Sequence, residues 1–329
     1  MGTIVSRLPI RRETRHTPAM SRQPVVPIVY HPEYVTPLPD GHRFPMPKFG
    51  RVYELLLEEG LVSTATVHVP DAADRDLLTL VHSGAYVNSF IQGTISPQAL
   101  RRIGLPWSEG LARRTRRAVG GTLLTARLAL EHGLACNTAG GTHHAHPEFG
   151  SGFCIFNDLA VTARALLEEH QVRRILIVDL DVHQGDGTAA VFNTEPRVFT
   201  FSMHCGTNFP SRKVPGDLDV ELSAGVGDEE YLERLASVLP DLLRRVDPDL
   251  VLYDAGVDVY AGDRLGHLNV TRDGIFRRDA YVLATCRTAA IPVATVIGGG
   301  YDHDIDALAD RHCLVHRAAL EVPDRIATR

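Results

Sequence analysis

Six short apolar runs recur along the chain, separated by longer stretches whose apolar residues fall at helical spacing. The runs are Val25–Tyr30, Leu134–Thr138, Arg174–Val178, Arg197–Met203, Leu250–Tyr253 and Val293–Ile297. Arg174–Val178 is continuously apolar inside a charged boundary, the pattern of a strand buried on both faces. Helical spacing marks Phe49–Glu59, through Val52, Leu55 and Leu56, and then Asp74–Phe90, Ser108–His132, Asn157–His170, Asp228–Val246, Arg272–Ala290 and Asp304–Leu320. Gly133 stops the third of these as a C′ glycine does. Asp158 sits in a first turn, where the helix dipole favours it, and Pro240 predicts a kink. Strands separated by helices predict an α/β fold: one domain, a mostly parallel sheet, helices on both faces. No internal repeat or composition shift marks a boundary, so residues 26–329 are expected to fold as one domain behind a disordered extension, 1–25.

Composition narrows the function classes. The 329 residues are 44% hydrophobic and carry a formal charge of -6. That allows a substantial core and gives no sign of a nucleic-acid binder, which would be basic. No apolar run is long enough to span a bilayer. The Arg-rich first 25 residues lack the apolar core of a secretory signal; Met20 is an alternative start, and Met1-Gly2 with Ser6 loosely matches a myristoylation pattern. Cys136, Cys154, Cys205, Cys286 and Cys313 are scattered, odd in number and free of any CxxC pair. Free thiols in a reducing cytoplasm are therefore expected, with no disulfide framework or zinc knot.

The chemistry lies in four polar clusters, each after an apolar run: Gly140–His144, Asp179–Gly187, Asp258–Arg264 and Gly298–Tyr301. Reactive groups of open α/β sheets gather at the carboxyl ends of strands, so the clusters predict one composite site. Asp181 and His183 are two apart, and in an extended segment such positions point the same way. Together with Asp258 they make a three-ligand set with an open position, the arrangement of a catalytic zinc. Packing alone explains such a group poorly, because buried charges cost several kcal/mol unless paired or metal-bound. His143 and His144 are either further ligands or acid–base groups, and Asp179 and Asp186 fit the role of orienting them. Tyr301, after three glycines, is placed to donate to a developing oxyanion. Asp263 is equally a functional acid of this cluster or a structural residue, in an ordinary surface ion pair with Arg264. Gly152, Phe153, Cys154 and Phe209 read as core or as pocket walls.

Taken together the clusters resemble the zinc-dependent histone deacetylase family, in order from about Ile28 to Leu320. The tandem-His motif corresponds to Gly140–His144, continuing into Ser151–Cys154 and Asn157-Asp158. The metal motif corresponds to Asp179–Gly187, and the remaining motifs to Asp258–Gly266 and Gly298–Tyr301. The likeness is greatest to the class IV branch and its bacterial relatives, through Tyr30–Tyr34, Lys48–Val52, and Gln184 where other classes have a second His. Trp107–Arg117 offers no counterpart of the rim aspartate with which many relatives hold the substrate backbone.

The resemblance implies an arginase/deacetylase-like fold over 26–329. It implies zinc on Asp181, His183 and Asp258, acid–base work by His143 and His144 with His144 the proton shuttle, orientation by Asp179 and Asp186, and carbonyl polarisation by Tyr301. Gly152, Phe153, Phe209 and Leu265 would line an acyl-lysine tunnel. A potassium ion would lie by Asp179, Asp181, His183, Ser202 and Met203, partly on backbone carbonyls. The implied reaction is zinc-dependent removal of acetyl or longer acyl groups from protein lysines, without direct nucleic-acid or membrane partners. Two rivals are deacetylation of acetylpolyamines or other small acylated amines, and a non-catalytic acyl-lysine-binding scaffold. A two-manganese arginase-like enzyme needs an acid where Gly185 stands.

Overall fold

Alternate residues of the central strands point to opposite sides of one sheet, and both sides are apolar. The computed structural model describes residues 26–64 and 66–322; the extension expected over 1–25 lies outside them. In chain order the elements are β1 (Ile28–Val29), α1 (Lys48–Glu58), β2 (Val67–His68), α2 (Arg75–Leu78), α3 (Gly84–Ile91), α4 (Pro97–Ile103), α5 (Glu109–His132), β3 (Leu134–Asn137), α6 (Asp158–Glu168), β4 (Ile175–Asp179), α7 (Asp186–Phe192), β5 (Val198–Cys205), β6 (Leu218–Leu222), α8 (Asp228–Val246), β7 (Leu250–Asp254), α9 (Arg272–Thr288), β8 (Val293–Val296) and α10 (Ile305–Glu321). The strands form one sheet in the order β2-β1-β3-β8-β7-β4-β5-β6, and each pairing is parallel.

The two-sided burial expected of β4 is present. Leu176, Val178, Val251, Tyr253 and Val293 pack with Leu235 of α8, Ile275 and Val282 of α9, and Leu314 of α10. Their alternates Ile175, Ile177, Leu250, Leu252 and Ala294 pack with Leu123 and Ala126 of α5 and Leu159 and Leu166 of α6. A third cluster, including Phe44, Phe49, Tyr86, Phe90, Phe153, Phe156 and Tyr301, builds a wall of loops and short helices. Among the described residues no helix is long and apolar enough to cross a membrane.

The departures from expectation have local causes. Asp74–Phe90 is two helices, because the Ser83 hydroxyl accepts from the Tyr86 N–H and starts a new one. In the described part of the first run, residues 26–30, the strand proper is Ile28–Val29, flanked by hydrogen bonds from Cys136 N–H to Pro27 O and from Tyr30 N–H to His68 O. Helix α8 has the expected bounds, Asp228–Val246, with Pro240 inside it. An interior proline costs about 3 kcal/mol, which the buried Tyr231, Leu235, Leu239, Leu242 and Leu243 exceed at about 1.5–3 kcal/mol per apolar side chain. Strands β2 and β6 and helices α4 and α7 are too short for their periodicity to stand out.

Chain order reverses at the middle of the sheet. After β4 the chain moves outward through β5 and β6, then returns to β7 on the other side of β4. The crevice beyond the carboxyl ends of β4 and β7 is therefore the switch point, where open α/β sheets bind ligands.

Candidate active site

Asp181 and His183 leave β4 at this crevice, and Asp258 follows β7 four residues past its end. His183 Nδ1 lies 3.0 Å from Asp181 Oδ1 and 3.1 Å from Asp258 Oδ2. One donor atom from each of the three residues lies within 4.8 Å of the others, and all three side chains are buried. Burial alone would push the His183 pKa down, but the bonds from the two carboxylates lift it to about 10. Burial and the Asp181 charge push the Asp258 carboxyl up. The proton on His183 thus stands where a divalent cation would serve both carboxylates better, and metal binding displaces such protons. Two carboxylates and one imidazole with one side open suit a catalytic zinc.

The histidine pair sits against this cluster. His143 Nδ1 is 2.7 Å from Asp179 Oδ2, His144 Nδ1 is 2.6 Å from Asp186 Oδ1, and the two Nε2 atoms are 3.2 Å apart. Burial alone would lower the His143 pKa, yet Asp179, Asp181 and Asp254 raise it well above the ordinary value. His144 is lowered to about 4 by burial and the neighbouring His143 charge, against the pull of Asp186. His143 thus favours the charged imidazolium and His144 the neutral imidazole. The Asp158 carboxylate accepts from the Gly141 and Thr142 N–H groups, at 3.1 and 2.7 Å, and fixes the turn that presents the pair. Gly141 has φ +85°, and a Cβ there would stand 2.5 Å from the Gly298 backbone; the first and last clusters meet through this contact.

Tyr301 is held by the third cluster. Asp263 accepts from the backbone N–H groups of Tyr301, Leu265 and Gly266, at 2.7, 2.8 and 3.0 Å. Asp263 is therefore a structural residue, and the surface pair with Arg264 does not form. The Tyr301 ring lies 6.4 Å from the His183 ring, edge-on. Burial, with Asp258 and Asp181 nearby, holds its hydroxyl well above the ordinary phenol value, so it remains a donor.

Gly152, Phe153, Phe209 and Leu265 line one cavity of about 340 Å³ with His144, His183 and Tyr301. Gly152 has φ +53°, and a Cβ there would approach the His144 ring to 2.7 Å. Phe209 stands edge-on to His144, centroids 4.8 Å apart, and is 44% exposed at the mouth. Of the positions implied for potassium, Asp179 and Ser202 are register partners on β4 and β5; Asp181, His183 and Met203 adjoin them in sequence.

Sequence reasoning missed two residues here. Asp254, register partner of Asp179 on β7, is fully buried, and neither of its carboxylate oxygens has a hydrogen-bond partner. Burial and the Asp179 charge raise its pKa well above the carboxylate range. The apolar run was expected to end one residue earlier, at Tyr253. Lys48 is buried behind the glycine run, with Nζ donating to the carbonyls of Gly298 at 3.1 Å and Gly300 at 3.4 Å. Burial lowers its pKa to about 8 against the pull of Asp258 and Asp181. A signal existed: Lys48 is one of two lysines in the chain and opens an apolar helix. Gln184 is spent structurally, donating to Val214 O and Asp219 Oδ1 and accepting from Val214 N–H.

The histone deacetylase domain family matches residues 42–316. The chain is 60% identical over 296 residues to an uncharacterized protein of Picosynechococcus sp., covering 90% of this chain and 99% of that one. It is 34% identical over 278 residues to histone deacetylase 2 of Arabidopsis thaliana, covering 79% of this chain and 70% of that one. It is 32% identical over 290 residues to the acetoin utilization protein AcuC of Staphylococcus aureus, covering 80% and 73%.

Proposed function

Because the chain belongs to the histone deacetylase domain family, and is accordingly a deacetylase-type hydrolase, we propose that it removes acetyl or longer acyl groups from lysine side chains of proteins with one catalytic zinc. The observation that carries this reading is convergence: the donor atoms of Asp181, His183 and Asp258 come together where His144 and Tyr301 also face the cavity. Zinc, when held by those three residues, supplies the Lewis acid that polarises the acyl carbonyl and acidifies the attacking water.

The chain's own groups do the rest. Neutral His144 takes a proton from water at Nε2, while Asp186 keeps the other proton on Nδ1. The Tyr301 hydroxyl donates to the carbonyl oxygen as it gains negative charge. The new C–O bond forms, the C–N bond breaks, and the protonated pair, His143 held cationic by Asp179, returns a proton to the leaving amine. Gly152, Phe153, Phe209 and Leu265 enclose the lysine alkyl chain and exclude water. Asp179, Asp181, His183, Ser202 and Met203 would hold the potassium ion that the resemblance implies, several through their backbone carbonyls. We place the chain in the class IV branch through Gln184 and the Tyr30–Tyr34 and Lys48–Val52 segments. Five buried free thiols favour the cytoplasm.

The test is a panel of acetyl-, decanoyl- and myristoyl-lysine peptides beside acetylpolyamines, each with and without chelator. Chelator-sensitive release from the peptides is expected. Turnover of the polyamines alone refutes the lysine substrate, and no release from any substrate refutes the enzyme reading in favour of a scaffold.

A further inference from the structure

The mouth of the cavity carries arginines and no acid. Arg43 comes from the loop before α1, and Arg101 and Arg102 from the last turn of α4; all three line the same cavity as His144 and Tyr301. None of the residues lining it is Asp or Glu. The three arginines are exposed, and among the described residues none has a carboxylate partner. Arg43 lies over the ring of Phe153, itself a lining residue, at 5.3 Å, which holds its guanidinium at the rim; Arg102 stacks on Phe149 at 4.4 Å. Many surface arginines are neutralised, as Arg51 is by Glu58 and Asp306, and Arg317 by Glu59 and Asp310; Arg212, Arg234, Arg245 and Arg264 are exposed without such a partner among the described residues, but none of them lines this cavity. A cationic last turn suits the dipole of α4. That accounts for neither Arg43, on a separate segment, nor the missing acids. The chain as a whole is acidic, at -6, so this rim is a local reversal of its field.

We infer that the preferred substrate is a polypeptide carrying Asp or Glu beside its acylated lysine, rather than a basic tail or a cationic acyl-amine. The inference rests on the lysine-deacylase reading above. A lysine side chain threaded to the floor leaves its sequence neighbours at the rim. There carboxylates meet guanidinium groups able to take them in bidentate geometry, and the same field repels polyamines and lysine-rich segments.

The test uses three acetyl-lysine peptides of equal length, flanked by Glu, by Ser and Gly, or by Lys, with the metal-loaded full chain. The expected order of kcat/KM is Glu, neutral, Lys, with about tenfold between the extremes, since each exposed pair contributes a small factor. The order resides in KM and shrinks in about 0.5 M salt. In Arg101→Gln/Arg102→Gln the order flattens, and in Arg101→Glu/Arg102→Glu it inverts; thermal midpoints close to the parent's show that both variants fold. Equal or better turnover of the Lys-flanked peptide, or an unchanged ratio in the Glu variant, overturns this inference alone. No turnover of any peptide by the parent overturns the deacylase reading and this inference with it.

Discussion

Asp186→Asn is the sharpest probe of the site, because it changes one atom and leaves the proposed zinc ligands Asp181, His183 and Asp258 in place. Asp186 accepts from His144 Nδ1 at 2.6 Å and from His146 Nε2 at 3.0 Å. Burial alone would raise its pKa, but these two bonds outweigh it and hold the carboxyl well below the usual range. An ionised carboxylate only accepts, so it fixes the His144 proton on Nδ1 and leaves the Nε2 lone pair for water. An asparagine amide can keep its oxygen toward His146 and turn its NH₂ to His144. The imidazole then carries its proton on Nε2 and cannot act as base. Outer-shell partners of this kind contribute about 10- to 100-fold, and a wrong tautomer in a carboxylate–histidine pair about 10⁴-fold. We expect kcat to fall by about 10²- to 10⁴-fold, or roughly 3–5 kcal/mol of barrier, with KM and zinc content near those of the parent. The assay is steady-state release from an acetyl-lysine peptide, with metal analysis of the same sample. A kcat within about threefold of the parent refutes tautomer control, and zinc lost in step with activity refutes the separation of Asp186 from the metal.

Three further outcomes are expected. Tyr301→Phe keeps its zinc and loses about 10²- to 10³-fold in kcat, the effect of removing one oxyanion donor; full turnover excludes the role given to its hydroxyl. Lys48→Met leaves the Gly298 and Gly300 carbonyls without their donor and lowers unfolding stability in urea by about 1–3 kcal/mol; an unchanged midpoint excludes that anchoring. His82 is buried, with Nδ1 against His146 O at 3.0 Å and Nε2 accepting from the Asn157 N–H at 2.9 Å, and burial lowers its pKa from 6.5 to about 4. The unfolded chain thus binds the extra proton first, so the contribution is full above pH 6.5 and is lost as pH falls toward about 4, to the extent of about 3 kcal/mol. His82→Gln should flatten the fall of the urea midpoint over that range, and coincident pH profiles would refute it.

Local pattern made much of this molecule legible. The apolar runs around β3, β4, β5, β7 and β8 and the polar residues directly after them are neighbours in sequence, so period and position sufficed to expect a parallel sheet with chemistry at one edge. Asp181 and His183, two apart beyond a buried strand, carried their own geometry. Asp263 could not be assigned that way, because its partner atoms are the backbone N–H groups of Tyr301 and of its own turn, and an N–H leaves no mark in sequence. Lys48 and Asp254 escaped because each lies at an element's end and matters only through what packs against it.

The sequence by itself determined the ingredients: strands buried on both faces, glycine turns, and two acids with one histidine able to hold a metal. Folding decided which ingredients meet. His183 and Asp258, 75 positions apart, touch because β4 and β7 are neighbours at the sheet's switch point, and Lys48 reaches Gly298 across 250 positions. The charge states of His143 and His144 and the acid-free arginine rim are also products of folding. They depend on burial and on distances between separate segments, which no local pattern of residues encodes.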